Sequence, residues 1–217
     1  VAMLCLNNAA RRHAAAPEAM LAAIGVAGRL GSLPFYAVIG YLQAYQPFAG
    51  YNYGARRFDR LREGTRLSIR FAMLLMLATS LAVLAAAPWL SGLFLPGADA
   101  ASRQAVGYAA STMRWMSLTL PLLAYHQVVT SLCQALGKVR ASMVLSSARN
   151  GLFFVPLSAA LPWLASWACG RAGWSPGGYS GAEFGVMLVA PAADLLAALL
   201  TLVLAARLTR QLQAEAG

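Results

Sequence analysis

Charge is scarce in this sequence. Only 11% of its 217 residues are Asp, Glu, Lys or Arg, against about a quarter in soluble domains. A soluble protein of this length could bury a core, but it could not cover its surface with so few charges. Acids are scarcer still, at seven against seventeen Lys and Arg, for a net charge of +10. A basic balance can mark nucleic-acid binding. Here the arginines sit mostly at the ends of apolar segments and build no single polar face, so no nucleic-acid partner is expected. Cysteine is nearly absent, and Cys5, Cys133 and Cys169 show no paired spacing, so neither a disulfide framework nor a zinc site is expected. Walker, zincin and GxSxG motifs are missing too, and neither an enzymatic activity nor a cofactor is anticipated. Val1 lies inside an apolar stretch with no basic n-region or cleavage site. This is not a signal peptide, and the start reads as a cut into a preceding span.

Long apolar runs are what the sequence does have. Five segments, Pro17 to Pro47, Ser68 to Leu95, Ala105 to Leu136, Val139 to Leu164 and Ala182 to Arg207, each exceed the ~20 residues needed to cross ~30 Å of hydrocarbon. Residues 1–10 supply the tail of a sixth. Backbone in lipid must satisfy its own hydrogen bonds, and period-2 alternation is lacking, so the spans are helices and not barrel strands. The fold expected is an all-α membrane protein of five complete transmembrane helices plus that tail. The second span is nearly featureless from Phe71 to Ala87 and should be peripheral. Pro34, Pro121, Pro156 and Pro191 fall well inside spans, where each removes a helix hydrogen bond and can act as a hinge or as static packing.

Basic residues divide unevenly between alternate loops. Arg56, Arg57, Arg60, Arg62, Arg66, Arg70, Lys138, Arg140, Arg207 and Arg210 fall on one side, and Arg11, Arg12, Arg103 and Arg171 on the other. The positive-inside rule puts the first set, and the C-terminus, in the cytoplasm. The 17-residue segment from Ala165 to Gly181, rich in Gly, Trp and Ser, then forms an outer loop.

Four charges remain inside spans: Arg29, Arg114, Arg149 and Asp194. Counted at ~1.5 Å per residue, all lie ~13–18 Å deep, near the midplane. Such groups cost at least ~2.5–3.5 kcal/mol each against lipid, so they should be paired or face a wet cavity. Arg149 and Asp194 match in depth and are expected within ion-pair distance, either as a pinning pair or as part of a substrate or ion path. Steps of three and four put Gly25, Arg29, Ser32, Tyr36, Gly40 and Gln43 on one face of the first span. Gln127, Thr130 or Ser131, and Gln134 share a face of the third, Ser142, Ser146, Arg149, Phe153 and Pro156 one of the fourth, and Met187, Pro191, Asp194, Ala198 and Thr201 one of the fifth. Small and hydroxyl residues can serve packing alone. Gln43, Gln134 and the charges do not suit that reading, so Arg29, Gln43, Arg114, Gln134, Arg149 and Asp194 are the candidates for a substrate or ion pathway. His126 reads as structural, with a proton-relay role as its alternative. Gly50 and Gly54 form a GxxxG at the water boundary, where it is discounted as a dimer motif.

One stretch is far more specific than composition. Gln46, Pro47, Phe48, Ala49, Gly50, Tyr51, Asn52, Tyr53, Gly54 and Ala55, followed by Arg57-Phe58-Asp59-Arg60, resemble the Q-P-x-x-G-Y-N-Y-G-A signature of the multidrug and toxic compound extrusion (MATE) family, in its bacterial MepA-like branch. Two further stretches are similar, in the family's order: Gln134 to Lys138 with Arg149, Gly151–Phe154 and Pro156, then Pro191 to Leu195. The resemblance implies twelve helices in two six-helix lobes around a central cavity, with residues 1–217 as the C-terminal lobe. It implies the lipid bilayer, the missing N-terminal lobe and small-molecule drugs as partners. The function implied is secondary active efflux of amphipathic, often cationic compounds across the inner membrane, coupled to Na⁺ or H⁺. A flippase for lipid-linked or polysaccharide intermediates of the same wider superfamily is the alternative, favoured by three midplane arginines against one aspartate. Asn150 departs from the family, which usually has Gln after this Arg, and the Ala165–Gly181 loop is longer than expected. The segment from Tyr51 to Gly54 should cap its helix, with Gly54 at C′ and the loop running on to Arg66. A half-bundle alone is expected to be inactive.

Overall fold

The computed structural model describes residues 2–95, 99–173 and 175–216. It is helical from end to end: α1 (Ala2–His13), α2 (Pro17–Gly54), α3 (Phe58–Phe94), α4 (Ala100–Ser117), α5 (Leu120–Ala135), α6 (Val139–Ser147), a π-helical turn (Ala148–Phe153), α7 (Phe154–Ala172) and α8 (Gly181–Ala216). A 3₁₀ turn at Pro176–Gly178 precedes α8. Among the described residues four stretches are long and apolar enough to cross a membrane: Pro17–Gly54, Phe58–Phe94, Val139–Ala172 and Gly181–Gln213. The stretch expected to be the tail of a sixth span falls in α1, which packs on α2, α7 and α8.

The span expected from Ala105 to Leu136 is divided. α4 stops at Ser117 and α5 begins at Leu120, with Pro121 in its first turn. Pro121 has no N–H to give the Ser117 carbonyl. That carbonyl accepts the Ser80 hydroxyl from α3 instead, at 2.7 Å. The Thr119 N–H and hydroxyl both turn back to the Met116 carbonyl, so the break leaves few backbone groups without partners. A second irregularity precedes Pro156. Without an N–H there the Leu152 carbonyl loses its α-helical donor, and the wider π turn, which contains Leu152, ends three residues before the proline.

Helix ends also differ from the sequence reading. α2 passes through Pro47 to Gly54, and α3 starts at Phe58, so the expected loop shrinks to Ala55–Arg57. The left-handed residue is Arg56 (φ 55°), not Gly54. Arg57 N–H donates to the Asn52 carbonyl and Arg56 N–H to Tyr53, a Schellman closure in which Gly54 is the last helical residue. The end of α5 repeats it with glycine in place: Gly137 (φ 69°), with Lys138 N–H on Cys133 and Gly137 N–H on Gln134. The segment expected as an outer loop is shorter than Ala165–Gly181 because α7 runs to Ala172, leaving Gly173 to Ser180; Trp174 lies outside the described residues.

Burial is concentrated in two clusters. One joins α2, α3, α5 and α8 through Leu42, Tyr45, Leu61, Met76 and Leu208, near the arginine-rich end. The other joins α1, α2, α4 and α8 through Leu6, Met20, Ile24, Tyr108 and Met187. The outer face of α3 is apolar and exposed at Phe71, Leu74, Leu77 and Leu81, as are Leu195, Leu199 and Leu202 on α8. Surfaces like these suit hydrocarbon and not water. Trp89, Trp163 and Trp167 are exposed toward the opposite end, where aromatic residues anchor at an interface.

Candidate functional site

Between the two clusters, one acid meets one base. Asp194, on α8 three residues beyond Pro191, is 4% exposed. Its Oδ1 accepts Nε–H of Arg149 at 2.5 Å. Its Oδ2 lies 3.1 Å from the Thr119 hydroxyl, which shares its proton with the Met116 carbonyl. Both helical irregularities therefore serve this point: the π turn presents Arg149, and the α4–α5 break presents Thr119. The Arg149 guanidinium also stands 5.8 Å from the centroid of Phe35. The expected ion pair is present.

Two cavities flank the pair. The first, of about 540 Å³, is polar, with Gln43, Gln46, Gln127, Gln134, His126 and Ser131 on its wall. The second, of about 300 Å³, is mostly apolar and reaches Asp194 from the side of Ile24, Leu123 and Met187. Each contains a buried hydroxyl without a hydrogen-bond partner, Ser131 Oγ in the first and Thr112 Oγ1 in the second. Such atoms mark places where water or a ligand group is needed.

The six candidate pathway residues distribute unequally. Gln43, Gln134 and Arg149 share the polar cavity, and Arg149 and Asp194 share the apolar one. Arg29 and Arg114 line neither. Arg29 is exposed on α2, on the face that carries Ser32, Tyr36 and Gln43. Arg114 is exposed on α4, whose Thr112 and Met116 side faces the apolar cavity. Two residues from each, at ~100° per residue, Arg114 is carried to the far side of the helix.

The signature residues build a junction more than a wall. Gln46 Nε2 donates to Gln134 Oε1 at 2.9 Å, tying α2 to α5 across the polar cavity. A Cβ on Gly50 would lie 3.3 Å from the Ala135 carbonyl oxygen, so glycine permits the approach of the two helices. Asn52 is buried, and its amide donates to the Phe48 carbonyl one turn back. Tyr53 packs edge-on against Phe58. Pro47 and Tyr51 are exposed, and Gly54 ends the helix.

His126 is buried with Nδ1 2.7 Å from Thr201 Oγ1, whose own proton goes to the Ala197 carbonyl. Nδ1 is therefore the protonated nitrogen, and Nε2 is left as an acceptor on the ring that lines the polar cavity. Sequence reasoning missed Glu183, which it placed at a span end. The structure buries it where Ala15 N–H (3.1 Å), Ser180 N–H (2.9 Å) and the Tyr108 hydroxyl converge on its carboxylate. The signal available was Ser180-x-x-Glu183 ahead of an apolar run, a capping box. Among the described residues no cluster of His, Cys, Asp and Glu could hold a metal ion.

The MatE family model matches residues 13–159, more than half of the chain. The fold is similar to an outward-facing multidrug resistance MATE family transporter of the MOP superfamily (TM-score 0.79, 20% identity, covering 98% of this chain and 43% of that one). It is also similar to a MATE in complex with MaL6 (0.78, 19%, 98% and 43%) and to an inward-facing multidrug resistance MATE family transporter (0.76, 18%, 100% and 45%). At such identities the likeness is one of fold, and the chain spans less than half the length of each structure. None of the curated proteins matches this chain.

Proposed function

The chain belongs to the MatE family, and from that premise we propose that residues 1–217 form the C-terminal lobe of a twelve-helix, secondary active multidrug efflux transporter. The observation that carries the reading is the family match together with a hydrogen-bonded Arg149–Asp194 pair set between two cavities. A buried acid paired with a partly exposed arginine, reached from a polar and an apolar space, suits a site at which an amphiphile and a coupling ion are handled. The open face of α2, with Arg29, Tyr36 and Gln43 exposed, is the surface that an N-terminal lobe would cover. Five spans plus the tail of a sixth follow if α4 and α5 together make one broken crossing. The positive-inside rule then puts the arginine-rich end and the C-terminus in the cytoplasm of a cell whose inner membrane holds the transporter. Substrates are amphipathic, often cationic compounds, exported against entry of Na⁺ or H⁺.

A flippase for lipid-linked or polysaccharide intermediates is the second reading, favoured by the excess of midplane arginine over aspartate. Ethidium accumulation in cells that express the full-length gene decides between them. Lowered accumulation supports multidrug efflux. Unchanged accumulation, with the protein present in the membrane, refutes it.

A further inference from the structure

The two cavities meet at a single cationic side chain. Phe35, Arg149 and Asn150 line both, so the polar and the apolar space adjoin at the guanidinium. Asp194 is the only carboxylate on either wall among the described residues, and both of its oxygens are engaged, by Arg149 Nε and by Thr119. Arg149 is not used up in return. Only its Nε–H is bonded, and among the described residues neither Nη donates to a partner. The Nη edge of a guanidinium is a planar pair of donors that matches a carboxylate.

Net charge points the same way. Arg149 and Asp194 cancel, but Arg29 stands one turn from Ser32 and two from Tyr36 on one face of α2, and Ser32 and Tyr36 line the apolar cavity. Among the described residues Arg29 makes no ion pair. Arg29 lines neither cavity, but its charge, one turn from the apolar wall, favours an anion over a cation there. Each cavity also has its unpartnered, more than nine-tenths buried hydroxyl, Ser131 and Thr112. The apolar cavity, walled by Ile24, Leu120, Leu123, Phe154 and Met187, has about 300 Å³ to receive a compact apolar body.

We propose that this lobe recognises its substrate through an acid group: an amphiphile whose carboxylate or phosphate sits on the Nη edge of Arg149, with its apolar body between α2, α5 and α8. This rests on the reading of the chain as a transporter lobe and names the chemistry that its own wall selects. Selectivity for cations, where the whole transporter has it, then comes from residues outside this lobe.

The test is equilibrium binding to the full-length transporter in phosphatidylcholine nanodiscs, with pyrenebutyrate, its methyl ester and pyrenebutylamine as probes on one apolar body. Pyrenebutyrate should bind about tenfold more tightly than the ester, as charge-assisted bonds to an arginine fork require. Arg149→Lys keeps a cation beside Asp194 but removes the fork, and should bring acid and ester to within about twofold of each other. Equal binding of acid and ester by the unaltered protein overturns the proposal whatever the amine does, since a cation can be held by residues outside this lobe; this result does not depend on any variant folding. An acid preference that survives Arg149→Lys overturns it too. Added phosphatidylglycerol that displaces pyrenebutyrate identifies a lipid headgroup as the source of the acid; no displacement identifies a soluble amphiphile. Acid preference in a protein that exports no ethidium refutes the multidrug reading alone, and ethidium export without acid preference refutes this inference alone.

Discussion

Replacing Gly185 with Ala tests how closely α7 and α8 are required to approach. A Cβ at Gly185 would stand 2.6 Å from both the Leu161 carbonyl oxygen and Pro162 Cα. Ordinary contact begins at 3.4 Å, so the helices must part by about 0.8 Å, and backbone cannot rotate aside as a side chain can. Overpacking of this kind costs ~1–3 kcal/mol, and contact with backbone places it at the upper end. Alanine returns ~1 kcal/mol through helix propensity, for a net loss of about 2 kcal/mol. Gly92, in α3 with no atom within 4 Å of its Cβ position, calibrates the experiment, since alanine there should stabilise by up to ~1 kcal/mol. Thermal unfolding of the full-length transporter should therefore move by a few degrees in opposite directions for the two variants. If Gly185→Ala matches or exceeds the parent while Gly92→Ala behaves as stated, the close packing described here is wrong.

Asp194→Asn keeps an acceptor for Thr119 but loses the charge opposite Arg149, and should lower ethidium efflux roughly tenfold per transporter, the scale of one charge-assisted bond; quantitative blotting should find its membrane level unchanged, and unchanged efflux would make Asp194 a structural residue. Glu183→Gln leaves one acceptor oxygen and turns an amide NH₂ toward at least one of the three converging donors, and should lower the thermal midpoint by the equivalent of ~1–3 kcal/mol. Arg56→Gly relieves a left-handed residue at the α2–α3 turn and should raise that midpoint by the equivalent of up to ~1 kcal/mol.

Hydropathy is summed locally along the chain, which is why the apolar stretches and the arginine-rich end were legible in the sequence. Asp194 is the sole acid at midplane depth, so its pairing with an arginine followed from depth and scarcity alone. Which arginine shares space with which glutamine did not follow. Periodicity assigns a residue to a face of its own helix, but only packing between helices turns that face toward a cavity or away from it. Arg114 and Arg149 match in depth and differ in azimuth. Pro121 announced a weak point, yet the division of α4 from α5 depends on the Ser80 hydroxyl, brought to the Ser117 carbonyl by a different helix. The left-handed residue fell on Arg56 because the Schellman bonds from Asn52 and Tyr53 set the register of the turn, whatever residue stands there. Glu183 looked like an ordinary helix-start acid until Ala15 and Tyr108, 168 and 75 residues away in sequence, were seen to converge on it. Contacts of that separation are decided by tertiary structure, because no local rule couples residues so far apart.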